Sequence, residues 1–238
     1  MTKPDKHYLL IGAGGTGAML FSPLLRLLET WQLNEEQPFS LSVIDGKAVS
    51  ETKLLRQNFL RRFINANKAE ALLAQYETDP KVVFAIPEYI GDLNINVFRD
   101  NDTVLIAADN WTIRQRIEGH CANLDNITVI NGGNEMFDGS VQLWMRRRGK
   151  DITPPLSTNH PEILEPDNDM SAMTCAQIAE LPSGEQTLIA NMMSATAMLN
   201  ALRLAHDWDA NAKRKSPPPS WNEAYFDMNT FAMRSDNR

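Results

Sequence analysis

The stretch Tyr8-Leu9-Leu10-Ile11-Gly12-Ala13-Gly14-Gly15-Thr16-Gly17 decides the fold class of this chain. An apolar strand pattern runs straight into glycines. Ala18 to Trp31 then carries apolar residues at helical spacing (Met19, Leu24, Leu27, Leu28, Trp31), with Pro23 early in that helix or kinking it. In a strand-to-helix turn, glycines permit tight backbone angles and let main-chain N–H groups approach an anion, while the following helix adds its dipole. The reading is a bound nucleotide phosphate. Gly12, Gly14 and Gly17 satisfy G-x-G-x-x-G and Gly15 is extra, a spacing that serves NAD, FAD and ATP alike. A glycine-rich turn that binds nothing is the competing reading, and the flanking strand and helix weigh against it.

Moving outward, Leu41 to Ile44 reads as a second, parallel strand ending at Asp45-Gly46, where the carboxyl end of a strand opens toward a ligand. A polar, basic segment from Glu51 to Asn67 leads into a helix over Lys68 to Gln75. Val82 to Ile86 and Thr103 to Ala107 are the next strands, the latter ending at Ala108-Asp109-Asn110; Trp111 to Ala122 is the next helix. Ile127 to Ile130 is a strand closed by a turn at Asn131-Gly132-Gly133. This recurrence predicts an open, mainly parallel sheet. Ser140 to Met145 alternates in the manner of an antiparallel strand, so the expected fold is α/β with a Rossmann-like mixed sheet, mainly parallel with antiparallel strands in the C-terminal half. Asp151 to Asp169 reads as a long mobile loop, Gln186 to Leu204 as a helix apolar on more than one face, Lys213 to Ser220 as a linker, and Ala224 to Met228 as a final strand. A single domain over residues 1–238 is expected, with a core at about 8–205 and a C-terminal extension at 206–238.

The chain has 238 residues and a formal net charge of -7, a balance that argues against a dedicated nucleic-acid surface. It contains no apolar run long enough for a membrane span and no charged-then-apolar leader pattern at its N-terminus, so the expectation is a cytoplasmic protein that contacts neither membrane nor nucleic acid. Two cysteines, Cys121 and Cys175, make neither a disulfide framework nor an all-cysteine zinc site. Cys121, inside an apolar helix pattern, reads as core. The Arg146-Arg147-Arg148 run reads as a solvated face.

Dehydrogenase logic would use Asp45 for the ribose hydroxyls and need little beyond it. The residues that follow do not fit that economy. Arg56, Gln57 and Asn58 lie just past the second strand, Lys68 opens a helix, and Asp109-Asn110 ends a strand on the same expected edge. Two cations and a carboxylate around a glycine-cradled phosphate suit phosphoryl or nucleotidyl transfer, because Arg and Lys neutralise a triphosphate and a carboxylate can hold Mg2+ between phosphate oxygens.

The ordered set Gly12 to Gly17, Ile44-Asp45, Leu55-Arg56-Gln57-Asn58-Phe59, Lys68-Ala69-Glu70, Ala108-Asp109-Asn110 with Arg114, Asn131-Gly132-Gly133 and Met173-Thr174-Cys175 resembles the ThiF, MoeB and HesA family of ubiquitin-activating-type adenylyltransferases. The resemblance covers roughly residues 8 to 205. It implies ATP-dependent adenylation of the C-terminal glycine carboxylate of a small ubiquitin-like or sulfur-carrier protein, by a homodimer. It assigns Gly12, Gly14, Gly15 and Gly17 to the nucleotide loop, Asp45 to the ribose, and Arg56, Gln57 and Lys68 to the nucleotide and its phosphates. Asp109 would support Mg2+ and the transition state with Asn110 beside it and Arg114 bracing the segment. Cys175 stands where some members carry a catalytic cysteine that forms a thioester or persulfide; an inert thiol is the alternative.

The chain departs from the family pattern at two positions near the phosphates. Lys47 stands where an acidic residue is usual and Lys53 where an Asn is common. The paired CxxC motifs of many members are absent, so no structural zinc is expected, and Met1 to His7 offers no match for an arginine that many members supply there. These departures keep open a nucleotide-binding interaction module without turnover. A dinucleotide-dependent oxidoreductase is the third reading.

Overall fold

The structure, a computed structural model, describes residues 5–54, 56–164, 187–211, 219 and 221–236. The opening apolar run forms β1 (Lys6–Ile11), which pairs in parallel with β2 (Phe39–Ile44) on one side and with β4 (Thr103–Ile106) on the other. β3 (Val83–Ile86) extends the sheet beyond β2, and β5 (Ile127–Asn134) extends it beyond β4, again in parallel. The order β3-β2-β1-β4-β5 reverses the direction of winding between β1 and β4. Open α/β sheets form a ligand crevice at that place, outside the carboxyl ends of the two strands.

Both faces of the parallel half are covered, which explains its near-continuous apolar runs. Tyr8, Leu10, Leu41, Val43, Leu105 and Ile130 pack with α1 (Gly15–Glu35), α2 (Lys68–Gln75) and the long apolar helix Leu188–Asn211. Leu9, Ile11, Ile44, Val104, Ile106 and Val129 pack on the other face with α3 (Trp111–Cys121) and α4 (Leu156–Asn159). The helix Leu188–Asn211 is α5 below. Pro23 lies well inside α1 rather than at its start, with its ring on the exposed side, and the helix continues past it. Cys121 is fully buried, and burial pushes its thiol up to about 12.

The C-terminal half is antiparallel: β6 (Asp138–Arg147) pairs with β5, β8 (Glu223–Asp227) with β6, and β9 (Ala232–Asp236) with β8, while the short β7 (Lys150–Asp151) folds back on β6. Three sequence expectations change. Asn131-Gly132-Gly133 is not a turn but the end of β5, because each residue has a partner on β6: Gln142, Val141 and Ser140. The stretch after Asp151 is not wholly a loop; α4 and the 3-10 turn Pro161–Leu164 anchor it through buried Leu156 and Ile163. Such short elements carry no readable period. Arg146 and Arg147 are half-buried rather than solvated, paired with Asp151 at 2.9 Å and Asp209 at 2.6 Å. β9 had no counterpart in the sequence reading.

Candidate functional site

At the β1/β4 crevice the structure opens a cleft of about 910 Å³. Gly12 enters it with φ +90, a left-handed backbone that favours glycine, and a Cβ there would sit 3.0 Å from the Ala107 carbonyl group. Ala107 N–H donates to the Ile11 carbonyl at 2.8 Å, joining the two switch-point strands at this close approach, and Gly12 N–H donates to the Ile44 carbonyl at the end of β2 at 2.9 Å. Gly14 and Gly15 line the cleft as expected. Gly17 does not. A Cβ on Gly17 would lie 1.9 Å from the Gly12 carbonyl oxygen, so this glycine sets the packing of α1 against the loop.

Asp45 lies at the carboxyl end of β2 and reaches back to the loop. Its two carboxylate oxygens accept from the amides of Ala13 and Lys47, each at 2.7 Å. Asp45 therefore shapes the glycine loop besides facing the cleft. Asn67 caps α2 by accepting from Ala69 and Glu70 and donates to the Asp45 carbonyl at 2.7 Å, which sets the start of α2 beside β2. Lys68, the first residue of that helix, is 3% exposed. Burial holds its ammonium below the ordinary 10.5; the Asp45 charge opposes that shift, and Lys53 and Lys47 deepen it.

Lys47, Lys53, Arg56 and Gln57 also line the cleft, as do Asp109 and Asn110, which follow β4. The sequence-predicted residues Gly12, Gly14, Gly15, Asp45, Arg56, Gln57, Lys68, Asp109 and Asn110 thus meet in one cavity. Asn110 also caps α3 by accepting from Ile113 N–H at 3.2 Å. Arg114 is buried beneath it, donating to the Ala108 carbonyl at 3.1 Å and lying 5.0 Å from the Trp111 ring centroid. Cys175 lies outside the described residues.

Asp109 is the carboxylate that the resemblance gives to Mg2+; it is exposed at the cleft, which Glu135 and Asp138 also line, and a nucleotide-bound Mg2+ takes one or two carboxylates together with phosphate oxygens. Asp45 uses both oxygens on backbone amides. No group of three or more His, Cys, Asp or Glu that could hold a metal ion occurs among the described residues. Asp109 also lies within electrostatic range of Lys68.

Contacts at and beneath the cleft join residues far apart in the sequence. Thr16 Oγ1 donates to Asn134 at 2.8 Å, Asn134 Nδ2 donates to Asn191 at 3.1 Å, and Asn191 Nδ2 donates to the Arg56 carbonyl at 3.2 Å. This network ties the glycine loop, β5, α5 and the Arg56 segment together. On the α3 side, His160 sits between Glu162 and buried Glu223, its ring nitrogens 2.7 and 2.5 Å from their carboxylates. The hydrogen bond to Glu223 raises the His160 pKa above 6.5. These residues come from segments separated by tens to more than a hundred positions, so only the fold brings them together.

No curated protein sequence matches the chain. Solved structures do. E. coli MccB with MccA-N7isoASN superposes with a TM-score of 0.64 at 16% identity, over 98% of this chain and 64% of MccB. E. coli MccB with ATP gives 0.62 at 16%, over 98% and 63%. The microcin C7 biosynthetic enzyme MccB with N-formylated MccA gives 0.65 at 17%, over 98% and 64%. These likenesses establish the fold, and the chain spans just under two thirds of the length of those proteins. Residues 4–235 match the ThiF family, so the glycine loop, the β1/β4 crevice and the mixed sheet belong together: this chain is a member of the ThiF family.

Proposed function

We propose that the chain is an ATP-dependent adenylyltransferase of the ubiquitin-activating type that activates the C-terminal carboxylate of a small protein. The observation that carries this reading is one cleft in which the glycine loop, Lys47, Lys53, Arg56, Lys68 and Asp109 converge at the switch point of the sheet. Hydride transfer has no use for those cations. Solved complexes of MccB with ATP and with MccA support a fold that accepts a nucleotide and a second partner.

In this reading Gly12, Gly14 and Gly15 cradle the phosphates, Asp45 holds the loop and offers its remaining lone pairs to the ribose, and Arg56 and Lys68 face the phosphates. A carboxylate oxygen of the partner attacks the α-phosphorus. As that P–O bond forms, the bond from the α-phosphorus to the pyrophosphate oxygen breaks and its electron pair leaves with pyrophosphate, giving an acyl adenylate. No proton moves, so the protein contributes alignment and neutralisation of the leaving charge. Asp109 and Asn110, at the end of β4, border the reacting centre. The partner we favour is a ubiquitin-like or sulfur-carrier protein ending in glycine. Attack of the Cys175 thiolate on the adenylate carbonyl carbon, expelling AMP, is the second step of the proposal. Exposed Leu188, Ile189 and Met192 on α5 support a homodimer, which a monomeric mass at micromolar concentration would contradict.

Isotope exchange between pyrophosphate and ATP in the presence of a glycine-terminated carrier tests the reading. Exchange supports it. Lys47 and Lys53 favour a second reading, a nucleotide-binding module without turnover, and ATP binding with no exchange by any such carrier would select that one.

A further inference from the structure

The antiparallel wing of the sheet carries part of the cleft, and its register lays that part out. Cross-strand partners share a face, so Gly133, Ser140, Tyr225 and Arg234 form one row across β5, β6, β8 and β9, and Asp138 and Asp227 stand side by side in the next row. All six line the cleft. Two carboxylates directly opposite each other on neighbouring strands repel, and among the described residues neither takes part in an ion pair. Glu135, whose N–H donates to the Asp138 carbonyl at 2.9 Å, adds a further carboxylate to the lining.

The first row begins beside Asp109. Arg114 Nη2 donates to the Ala108 carbonyl at 3.1 Å and lies 3.2 Å from where a Cβ on Gly133 would stand, so one guanidinium joins the chain before Asp109 to the end of β5. Strands lie about 4.8 Å apart, which puts β6 and β8 roughly 10 and 14 Å from Asp109, the span of three or four residues of extended chain. In the row on the other side, Asn131 stands beside Gln142 and is 4% exposed. Its Nδ2 donates to Gln142 at 2.7 Å, and its Oδ1 has no hydrogen-bond partner among the described residues. A buried amide oxygen without a donor is destabilising, and Asn131 lines the cleft, where an N–H of a bound chain can satisfy it. A peptide supplies such N–H groups.

Charge in the cleft is divided across the switch point. Lys47 follows β2, and Lys68 N–H donates to its carbonyl at 2.9 Å, whereas Asp138 and Asp227 belong to β6 and β8, beyond β4 and β5. A chain with a terminal carboxylate and a basic side chain a few residues before it complements both regions.

We infer that Asp138 and Asp227 select a partner whose C-terminal tail crosses β6 and β8 and carries a lysine or arginine about three or four residues before its terminal residue. The inference rests on the adenylation reading above and deepens it by giving the tail a path and a charge. Arg234 stands one strand farther out, its guanidinium carbon 4.9 Å from the Tyr225 ring centroid, and keeps the acidic zone local.

Fluorescence anisotropy of three end-labelled peptides on the full chain tests it. The peptides are Ser-Ser-Ala-Lys-Ala-Ser-Gly, the same peptide with Glu for Lys, and Lys-Ser-Ala-Ser-Ala-Ser-Gly, which moves the lysine to the far end. The first is expected to bind at least about fivefold more tightly than either of the others. A smaller preference over the third peptide would reduce the effect to attraction by the net charge of -7 and overturn the inference, as would a smaller preference over the second or no binding by any of them. Asp138→Asn with Asp227→Asn relieves the repulsion and leaves an acceptor for the amides of Asn229 and Thr230, so its urea midpoint should not fall. This variant is expected to bind the first two peptides within about twofold of each other, and a preference as large as the parent's would overturn the role of the pair. ATP binding is measured separately on the same protein. ATP bound without discrimination among the peptides overturns this inference and leaves the adenylation reading standing, whereas discrimination without ATP binding overturns that reading and supports the tail site.

Discussion

Asn191 on α5 donates from Nδ2 to the carbonyl oxygen of Arg56, 135 positions earlier in the chain, at 3.2 Å. The same side chain accepts from Thr16 at 3.3 Å and from Asn134 at 3.1 Å, and it is fully buried. One amide therefore fixes the Arg56 segment relative to the start of α1 and the end of β5. Asn191→Asp keeps both acceptor contacts but turns the third into an oxygen facing a carbonyl oxygen. The expected cost is about 2–3 kcal/mol of stability, with ATP binding weakened more than AMP binding because the proposed site sets Arg56 against phosphates that AMP lacks. Urea unfolding and parallel nucleotide titrations read both effects. Equal losses for ATP and AMP would reduce Asn191 to a purely structural part.

How much of this was legible beforehand follows from the range over which each signal acts. The β1-loop-α1 unit is contiguous, and its glycines report local backbone demands, so it was readable. Lys68 is marked by its place at the start of a capped helix, and Asp45 and Asp109 by ending apolar runs. The Asn131 to Gly133 stretch was misread because glycines there serve a close approach of other side chains: a Cβ on Gly132 would lie 2.3 Å from the Met198 sulfur. Glycine alone does not separate a turn from crowding. Asn191 was invisible because its partners lie 57 to 175 positions away, and His160 because its buried partner, Glu223, lies 63 positions away.

Lys68 should cost the unliganded protein stability. Burial lowers its native pKa below the unfolded 10.5, so below the native value the protonated lysine favours the unfolded chain, and stability recovers as pH climbs through that value. Lys68→Met is therefore expected to raise the stability of the nucleotide-free protein by about 1 kcal/mol at neutral pH while weakening ATP by roughly tenfold or more. Thermal melts with and without ATP check this: the parent gains stability on adding ATP and the variant gains little. A nucleotide-free variant less stable than the parent would contradict the burial argument.

The His160 cluster makes stability depend on pH with a defined sign. Its native pKa is raised, first by the Glu223 hydrogen bond, so its contribution is full below pH 6.5 and disappears as pH rises through the native value. Glu162 acts in the opposite direction: burial pushes it up, but a backbone hydrogen bond and His160 hold it below 4.5, so its contribution fades as pH falls. Urea midpoints should thus decline on both sides of a slightly acid window. His160→Gln is expected to flatten the alkaline side and to cost about 3 kcal/mol within the window, because Glu223 is fully buried and loses its cation. An unchanged alkaline slope would place the pH dependence elsewhere.

Gly14 and Gly17 sit three residues apart in one motif, and the structure gives them opposite tasks. A Cβ on Gly17 meets the Gly12 carbonyl oxygen at 1.9 Å, an atom of a strand-end backbone that cannot retreat without shifting β1. Gly17→Ala is therefore expected to lose about 3 kcal/mol or more, or to fail to accumulate folded protein. A Cβ on Gly14 meets nothing within 4 Å, yet the residue lines the cleft and precedes the first turn of α1. Gly14→Ala should stay within about 0.5 kcal/mol of the parent in urea unfolding. It should nevertheless weaken ATP by roughly tenfold, since a methyl group would stand where main-chain N–H groups approach the phosphates. The pair separates two demands that the motif merges, helix packing at its end and anion access at its centre. Normal ATP affinity in a folded Gly14→Ala protein would mean that the phosphates lie away from this turn, and the site would have to be moved toward Lys47 and Lys53.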